Sequence, residues 1–301
     1  MTTAAAGPTG VWLVDKPAGP TSHDVVASIR RRLGRRVKVG HTGTLDPFAT
    51  GLLVVLVGRA TRLAPYLSAL DKTYRAVVRL GATSATGDPE GPITITGEPP
   101  PADRVAAVLD TFVGRQSQRV PAYAGVKVGG ERLYRRARRG EAVEAPEREI
   151  VIQRLDLLSY DPGTGRLQVE VRCGKGTYIR QLAADIGERL SSGGYCAELR
   201  RTAVGDLDVA DAVPPDAVDA GPGIGLRRAL AGMPALELGP REAALVRHGR
   251  LVPGEAQETV ALVAGEEVLA VARPAGQGLL RPVVVLAPVP VPPSPESGGR
   301  S

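Results

Sequence analysis

Residues 52–57, LLVVLV, offer no polar face to solvent, and no Gly or Pro interrupts them. The run is strand-sized and reads as a strand buried within a sheet. It falls far short of the roughly 20 apolar residues that span a bilayer, and no longer apolar run occurs in the chain. A core built around it depends on Val, Leu and Ala, because aromatic residues make up only 3% of the sequence. A length of 301 residues predicts two domains, at about 150 residues each.

The flanking periodicities set the fold class. Val25, Ile29 and Leu33 recur at helical spacing behind Thr21 or Ser22 as cap, and Gly34 is the stop, which predicts a helix over 22–33. Tyr74, Ala76, Val78 and Leu80 alternate as a half-buried strand does, and so do Leu167, Val169, Val171 and Cys173. Val105, Val108, Leu109 and Phe112 mark a second helix; Ile179, Leu182, Ala183, Ile186 and Leu190 mark a third. Strands and helices interleave without a βαβ period or a repeat. That predicts an α+β domain with a mixed, largely antiparallel sheet flanked by helices. Residues 205–225 turn to Asp, Ala, Pro and Gly and read as the edge of this region, approaching a linker. Beyond Met233, short Val/Leu runs between Gly and Pro suit a small β-barrel or sandwich. The Pro/Ser/Gly-rich tail, 289–301, is expected to be disordered.

The net charge is +6, but residues 231–301 carry −1, which leaves +7 on residues 1–230. A positive field in the first two thirds fits a polyanionic partner there, or simply a basic proteome. Two cysteines, Cys173 and Cys196, make neither a disulfide framework nor a CxxC site. The first ten residues lack the charged and apolar regions of a signal peptide, so the expected compartment is the cytoplasm.

Chemistry is concentrated in the loop that feeds the apolar run, GHTGTLDPFATG at 40–51. Its three glycines permit close backbone approach. Pro47 holds Asp46 extended on a stiff loop. On these residues alone, Asp46 can be either a reacting carboxylate or the cap of a structural turn. No GxxxxGK[ST] pattern makes the loop a phosphate cradle. The three histidines, His23, His41 and His248, form no cluster with metal-ligand spacing, so no metal is expected. A carboxylate buried in a base-sized pocket loses its charge unless a fixed cation faces it. Arg180, in GKGTYIR at the start of the third helix, is a candidate for that cation and equally for a surface position. Between Lys127 and Arg139 six basic residues face one acid, with Tyr123 and Tyr134 beside them. That stretch can contact phosphates and stack on bases, or be a solvated helix face after a hairpin.

In order, GVWLVDKP, GHTGTLDPFATG, KTYRA, GVKVGGERLYRRARRG, GKGTYIR and ELRR resemble the TruB family of RNA pseudouridine synthases, over about residues 11–204. A weaker likeness to a PUA-type RNA-binding domain follows. The resemblance implies a pseudouridine synthase fold, with a catalytic domain over 1–230, an RNA-binding thumb at about 120–150 and a PUA-like domain at 231–288. It implies a tRNA enzyme acting on uridine 55 in the T arm, without cofactor, metal, membrane or obligate protein partner, and monomeric. Asp46 matches the catalytic aspartate, the nucleophile; Arg180 matches its arginine partner, and Tyr74 the tyrosine that packs on the target uracil. His41 matches a residue that fills the space left by the flipped base. Tyr178 and Leu199 match pocket-lining positions, and Lys16 lies in the supporting DKP motif. Lys127, Arg132, Tyr134, Arg135, Arg136, Arg138 and Arg139 fall in the thumb and are expected to contact RNA. Ala124-Gly125 and Gly174 depart from the family pattern, away from the nucleophile. A non-enzymatic RNA-binding protein is the main alternative, and a synthase for another RNA the next. A glycoside hydrolase would need two paired carboxylates, and only Asp46 is placed.

Overall fold

The computed structural model describes residues 8–121, 127–128, 131–132, 139 and 145–287. The first part of the chain contains, in order, β1 (Gly10–Lys16), α1 (Ser22–Leu33), β2 (Val39–His41), β3 (Thr50–Val57), a 3-10 turn (Gly58–Leu63), α2 (Ala64–Ala69), β4 (Lys72–Leu80), β5 (Ala82–Ser84), β6 (Ile93–Ile95), α3 (Ala102–Asp110), β7 (Gly114–Arg119), β8 (Lys127–Val128), β9 (Glu131–Arg132), β10 (Glu147–Asp161), β11 (Arg166–Cys173), α4 (Ile179–Arg189), β12 (Gly194–Val204) and β13 (Leu207–Asp208). Nine of these strands form one sheet in the order β1-β3-β12-β4-β11-β10-β7, with β2 added to β3 and β13 to β12. Only β3 and β12 run parallel, where Thr50 and Gly51 face Arg200 and Arg201. The other pairs are antiparallel. The sheet is therefore mixed and largely antiparallel, as the periodicity predicts.

The apolar run in β3 is explained by cover on both faces. Leu53 and Val55 pack with Val14 of β1 against Val25 and Ile29 of α1. On the opposite face, Leu52, Val54 and Leu56 join Val11 and Leu13 in a core that takes in Ala261, Val263, Val268, Val271 and Val284 from the C-terminal part. The predicted alternation of β4 and β11 builds a third core. Tyr74, Ala76, Val78 and Leu80 lie with Leu167, Val169, Val171 and Cys173 beneath Leu182, Ala183 and Ile186 of α4. α1 begins at a capping box in which Thr21, not Ser22, is the cap, with Asp24 reciprocating, and it stops at Gly34.

Residues 205–225 do not behave as a linker. The backbone of Val213 exchanges hydrogen bonds with Leu13 and Asp15, and Pro222 and Ile224 bond Val11. This segment covers the outer edge of β1, which would otherwise present unpaired backbone groups. After α5 (Leu226–Ala229) come β14 (Ala235–Glu237), α6 (Pro240–Arg247), β15 (Val252–Pro253), β16 (Val260–Ala264), β17 (Glu267–Gly276) and β18 (Leu279–Val285). They form a five-stranded sheet in the linear order β14-β16-β17-β18-β15, with Ala243 and Val246 of α6 in its core. The Val/Leu runs thus make a covered sheet, not a closed ring of hydrogen-bonded strands. Among the described residues no helix is long and apolar enough to cross a membrane.

Candidate active site

The loop carrying Asp46 is held on both sides of that residue. Ahead of it, the buried Ser22 hydroxyl at the start of α1 donates to the Leu45 carbonyl (3.0 Å) and accepts from the Leu45 N–H (2.8 Å). Behind it, the fully buried Lys16 ammonium, at the end of β1, donates to the carbonyls of Pro17 (2.8 Å), Pro47 (3.2 Å) and Ala49 (2.7 Å). Burial holds the Lys16 pKa below its ordinary value, with Asp46 and Glu90 opposing that shift. The loop rejoins the sheet at Gly51, whose φ is +100°. A Cβ there would lie 2.2 Å from the Arg201 carbonyl oxygen, so no other residue fits without displacing β12.

Arg180 sits in the first turn of α4 with only 5% of its surface exposed. Its Nη2 donates to Asp46 Oδ1 at 3.3 Å, and its Nε makes a 2.9 Å ion-pair contact with Asp46 Oδ2. The guanidinium is itself anchored from behind. Nη1 donates to the Thr86 carbonyl (2.8 Å) and to Asp88 Oδ2 (3.0 Å). The buried Asp88 carboxylate also accepts from the Thr86 hydroxyl (2.5 Å) and the Glu90 N–H (3.1 Å). One guanidinium therefore bridges two carboxylates, one facing a cavity and one in the interior.

The cavity has a volume of about 550 Å3, within the usual range for a small-ligand site. Of the residues expected at the site, Asp46, Tyr74, Tyr178, Leu199 and Arg180 line it. His41 and Lys16 do not: Lys16 braces the loop from beneath, and His41 ends β2, its Nδ1 accepting from the Gly43 N–H at 3.3 Å. Burial, with the Arg201 charge adding to it, holds the His41 imidazole below its ordinary pKa and so favours its neutral form. Tyr74 is buried on β4, and burial raises its phenol pKa. Tyr178 caps α4 and is held at both backbone groups by the buried Gln118 side chain, which donates to its carbonyl (3.0 Å) and accepts from its N–H (2.8 Å).

Three contributors were not singled out from the sequence. Asp88 lies in an unremarkable GDPEG turn. Arg201, in ELRR, is almost fully buried and donates to the carbonyls of Leu52 (2.7 Å) and Gly43 (3.0 Å), with its guanidinium carbon 6.0 Å from the Tyr74 ring centre. Lys72, in KTYRA, lines the cavity with its pKa lowered to about 8 by burial. Tyr134, Arg135, Arg136 and Arg138 lie outside the described residues. Lys127 and Arg132 are backbone partners in the β8–β9 pair, and Arg139 is exposed.

Charge decides what Asp46 can do. Burial raises its pKa, and Asp88 adds to the rise; the charge and hydrogen bonding of Arg180 and the charge of Lys16 lower it, and the balance is a raised value. The site thus holds a partly desolvated carboxylate against a fixed cation, open to a cavity lined by an aromatic ring. Among the described residues no group of His, Cys, Asp and Glu has the arrangement to hold a metal ion.

The same fold occurs in solved structures. The chain superposes on a chain of a Cbf5-Nop10-Gar1 complex with a TM-score of 0.71 and 24% identity, covering 96% of this chain and 92% of that one. An archaeal box H/ACA Nop10-Cbf5 complex gives 0.69 and 26% identity, covering 94% and 88%. The family model described as TruB family pseudouridylate synthase, N-terminal domain, matches residues 30–179. The tRNA pseudouridine synthase B of Synechococcus sp. (strain WH7803) is 46% identical over 92% of this chain and 97% of its own length. That of Mycobacterium sp. (strain KMS) is 41% identical over 93% and 96%. The family match and these relatives define an enzyme of the isomerase class that makes pseudouridine. The chain belongs to the TruB family of pseudouridylate synthases.

Proposed function

We propose that the enzyme converts uridine 55, in the T loop of tRNA, to pseudouridine, with Asp46 acting on the substrate. The observation that carries this reading is the Asp46–Arg180 pair, placed where the carboxylate lines a cavity with room for a base and the guanidinium is locked from the interior. The relatives named tRNA pseudouridine synthase B support the choice of tRNA.

The target base leaves its stack at a cost of a few kcal/mol. His41 occupies the vacated space, and Tyr74 packs on the uracil. The bond from ribose C1′ to N1 breaks, the uracil turns within the cavity, and C1′ bonds to C5. The C5 proton departs and N1 gains one, so the product is an isomer and no oxidant or reductant is consumed. Whether Asp46 attacks C1′, attacks C6 or removes a sugar proton, it must be ionised, and Arg180 keeps it so. Tyr178 and Leu199 cage the detached base, while Lys16 maintains the loop. Residues 1–230 form the catalytic domain, with a thumb at about 120–150 bearing Lys127, Arg132, Tyr134, Arg135, Arg136, Arg138 and Arg139 against RNA. Residues 231–288 form a PUA-like module. The enzyme works in the cytoplasm as a single chain without metal or cofactor.

Incubation with an unmodified tRNA transcript, followed by mapping of pseudouridine, tests the proposal. It predicts conversion at one uridine in the T loop. Conversion confined to other positions, or none, contradicts it.

A further inference from the structure

From Val25 to Leu70 the only acidic residue is Asp46, while eight basic ones occur: Arg30, Arg31, Arg32, Arg35, Arg36, Lys38, Arg59 and Arg62. All but Arg30 are exposed. Arg30, Arg31 and Arg32 form the last turn of α1, and Arg35, Arg36 and Lys38 follow it into β2. The Gly58 N–H donates to the Lys38 carbonyl (2.8 Å), which sets Lys38 beside Arg59 across the β2–β3 pair. Arg59 and Arg62 reach the C-terminal sheet, donating to the carbonyls of Leu286 (3.4 Å) and Val285 (2.8 Å). At the other end β2 runs into Thr42 on the cavity wall, about 13 Å from Lys38 at 3.3 Å per residue. Lys38, Arg59 and Arg62 thus continue from the end of α1 toward the second sheet, Arg32 turns to the Pro215 carbonyl (3.0 Å), and the uncharged residues of β2 join the group to the cavity wall.

Among the described residues none of the eight has a carboxylate within ion-pair distance. The contrast with the open face of the main sheet is sharp. There Arg75 and Arg154 pair with Glu170, Arg166 with Glu198, Arg172 with Asp71 and Arg200 with Asp15. Like charges crowded without counterions repel one another, and a polyanion laid along them relieves that repulsion. We infer that the basic group from Arg30 to Lys38, continued by Arg59 and Arg62, is a track for the RNA phosphate backbone, made of residues other than those expected in the thumb. It carries the substrate from the cavity toward the C-terminal sheet. Arginine forks suit phosphate oxygens, and the absence of aromatic residues along the strip fits contact with backbone rather than with bases.

This inference rests on reading the substrate as RNA. Each phosphate neutralised contributes about 0.7–0.9 to the slope of log affinity against log salt. The test compares the full chain with a variant carrying Arg31→Gln, Arg35→Gln, Arg36→Gln and Lys38→Gln, titrating an unmodified tRNA transcript at several salt concentrations. The variant's slope is expected to be shallower by about 3, with kcat at saturating RNA within about two-fold of the unaltered chain. A slope that changes by less than two overturns the inference. The double variant Arg35→Gln/Arg36→Gln, confined to the exposed turn after α1, gives a second reading and is expected to lose at least one unit. Pseudouridine formation by the unaltered chain is scored in the same samples. Its absence refutes the functional reading, whereas normal conversion with an unchanged variant slope refutes only the track.

Discussion

Asp46 and Asp88 share a single guanidinium, and the sharing tempers the effect of burial on the Asp46 carboxylate. Burial raises the Asp46 pKa and Asp88's negative charge adds to the rise, while Arg180 lowers it. Substitutions on the two sides are therefore expected to move the acid limb of the pH–rate profile in opposite directions. Asp88→Asn removes a like charge and shifts the limb to lower pH; Arg180→Ala removes the cation and shifts it higher, with turnover nearly lost. Single-turnover rates across pH check both signs, and a common direction contradicts the bridge. Folding stability carries the same signature. Because the folded pKa of Asp46 is raised, this residue favours the folded state in acid, and that contribution is lost as pH rises through the folded value. Relative to Asp46→Asn, the unaltered chain is expected to lose melting temperature between about pH 4 and neutrality. A widening advantage over that range would mean that the carboxyl pKa is depressed.

At the scale of elements, Asp46 is placed by the ends of β1, α1, β3 and α4. Ser22→Ala leaves the buried Leu45 N–H and C=O without their partner and is expected to cost about 1–3 kcal/mol, read by denaturant unfolding. It is also expected to lower kcat more than RNA affinity, because the residue before Asp46 loses its latch. Gly51→Ala forces a Cβ onto the Arg201 backbone and is expected to destabilise by more than about 1 kcal/mol. Much of this level was legible in the sequence. α1, β4, β11 and α4 announce themselves by periodicity, and LLVVLV by its lack of a polar face. β10 does not, because register shifts near Arg154 and Ser159 break its alternation. Nor does β12, which buries an arginine where a strand normally buries an apolar residue. Asp46, Tyr74 and Arg180 stand out through their motifs, but Asp88 sits in an ordinary turn. Its role comes from convergence on Arg180 across 92 positions of chain, which no local pattern encodes.

For the whole molecule, the division into a catalytic part and a C-terminal part is less complete than the composition implies. Leu52, Val54 and Leu56 share one core with Val263, Val268 and Val271, and residues 205–225 are fastened to β1. Calorimetry is therefore expected to show one cooperative transition for the full chain. Two well-separated transitions would mean that the shared core contributes little. Truncation after residue 230 uncovers the apolar face of β1 and β3 and is expected to lower the melting temperature and promote association.

The proposed chemistry turns on a single carboxylate, and Asp46→Asn at matched tRNA occupancy isolates its part. Pseudouridine formed in a single turnover is counted for the variant and the unaltered chain. The account predicts that RNA affinity stays within a few-fold and that product falls below detection. Product formation at the normal rate would contradict it.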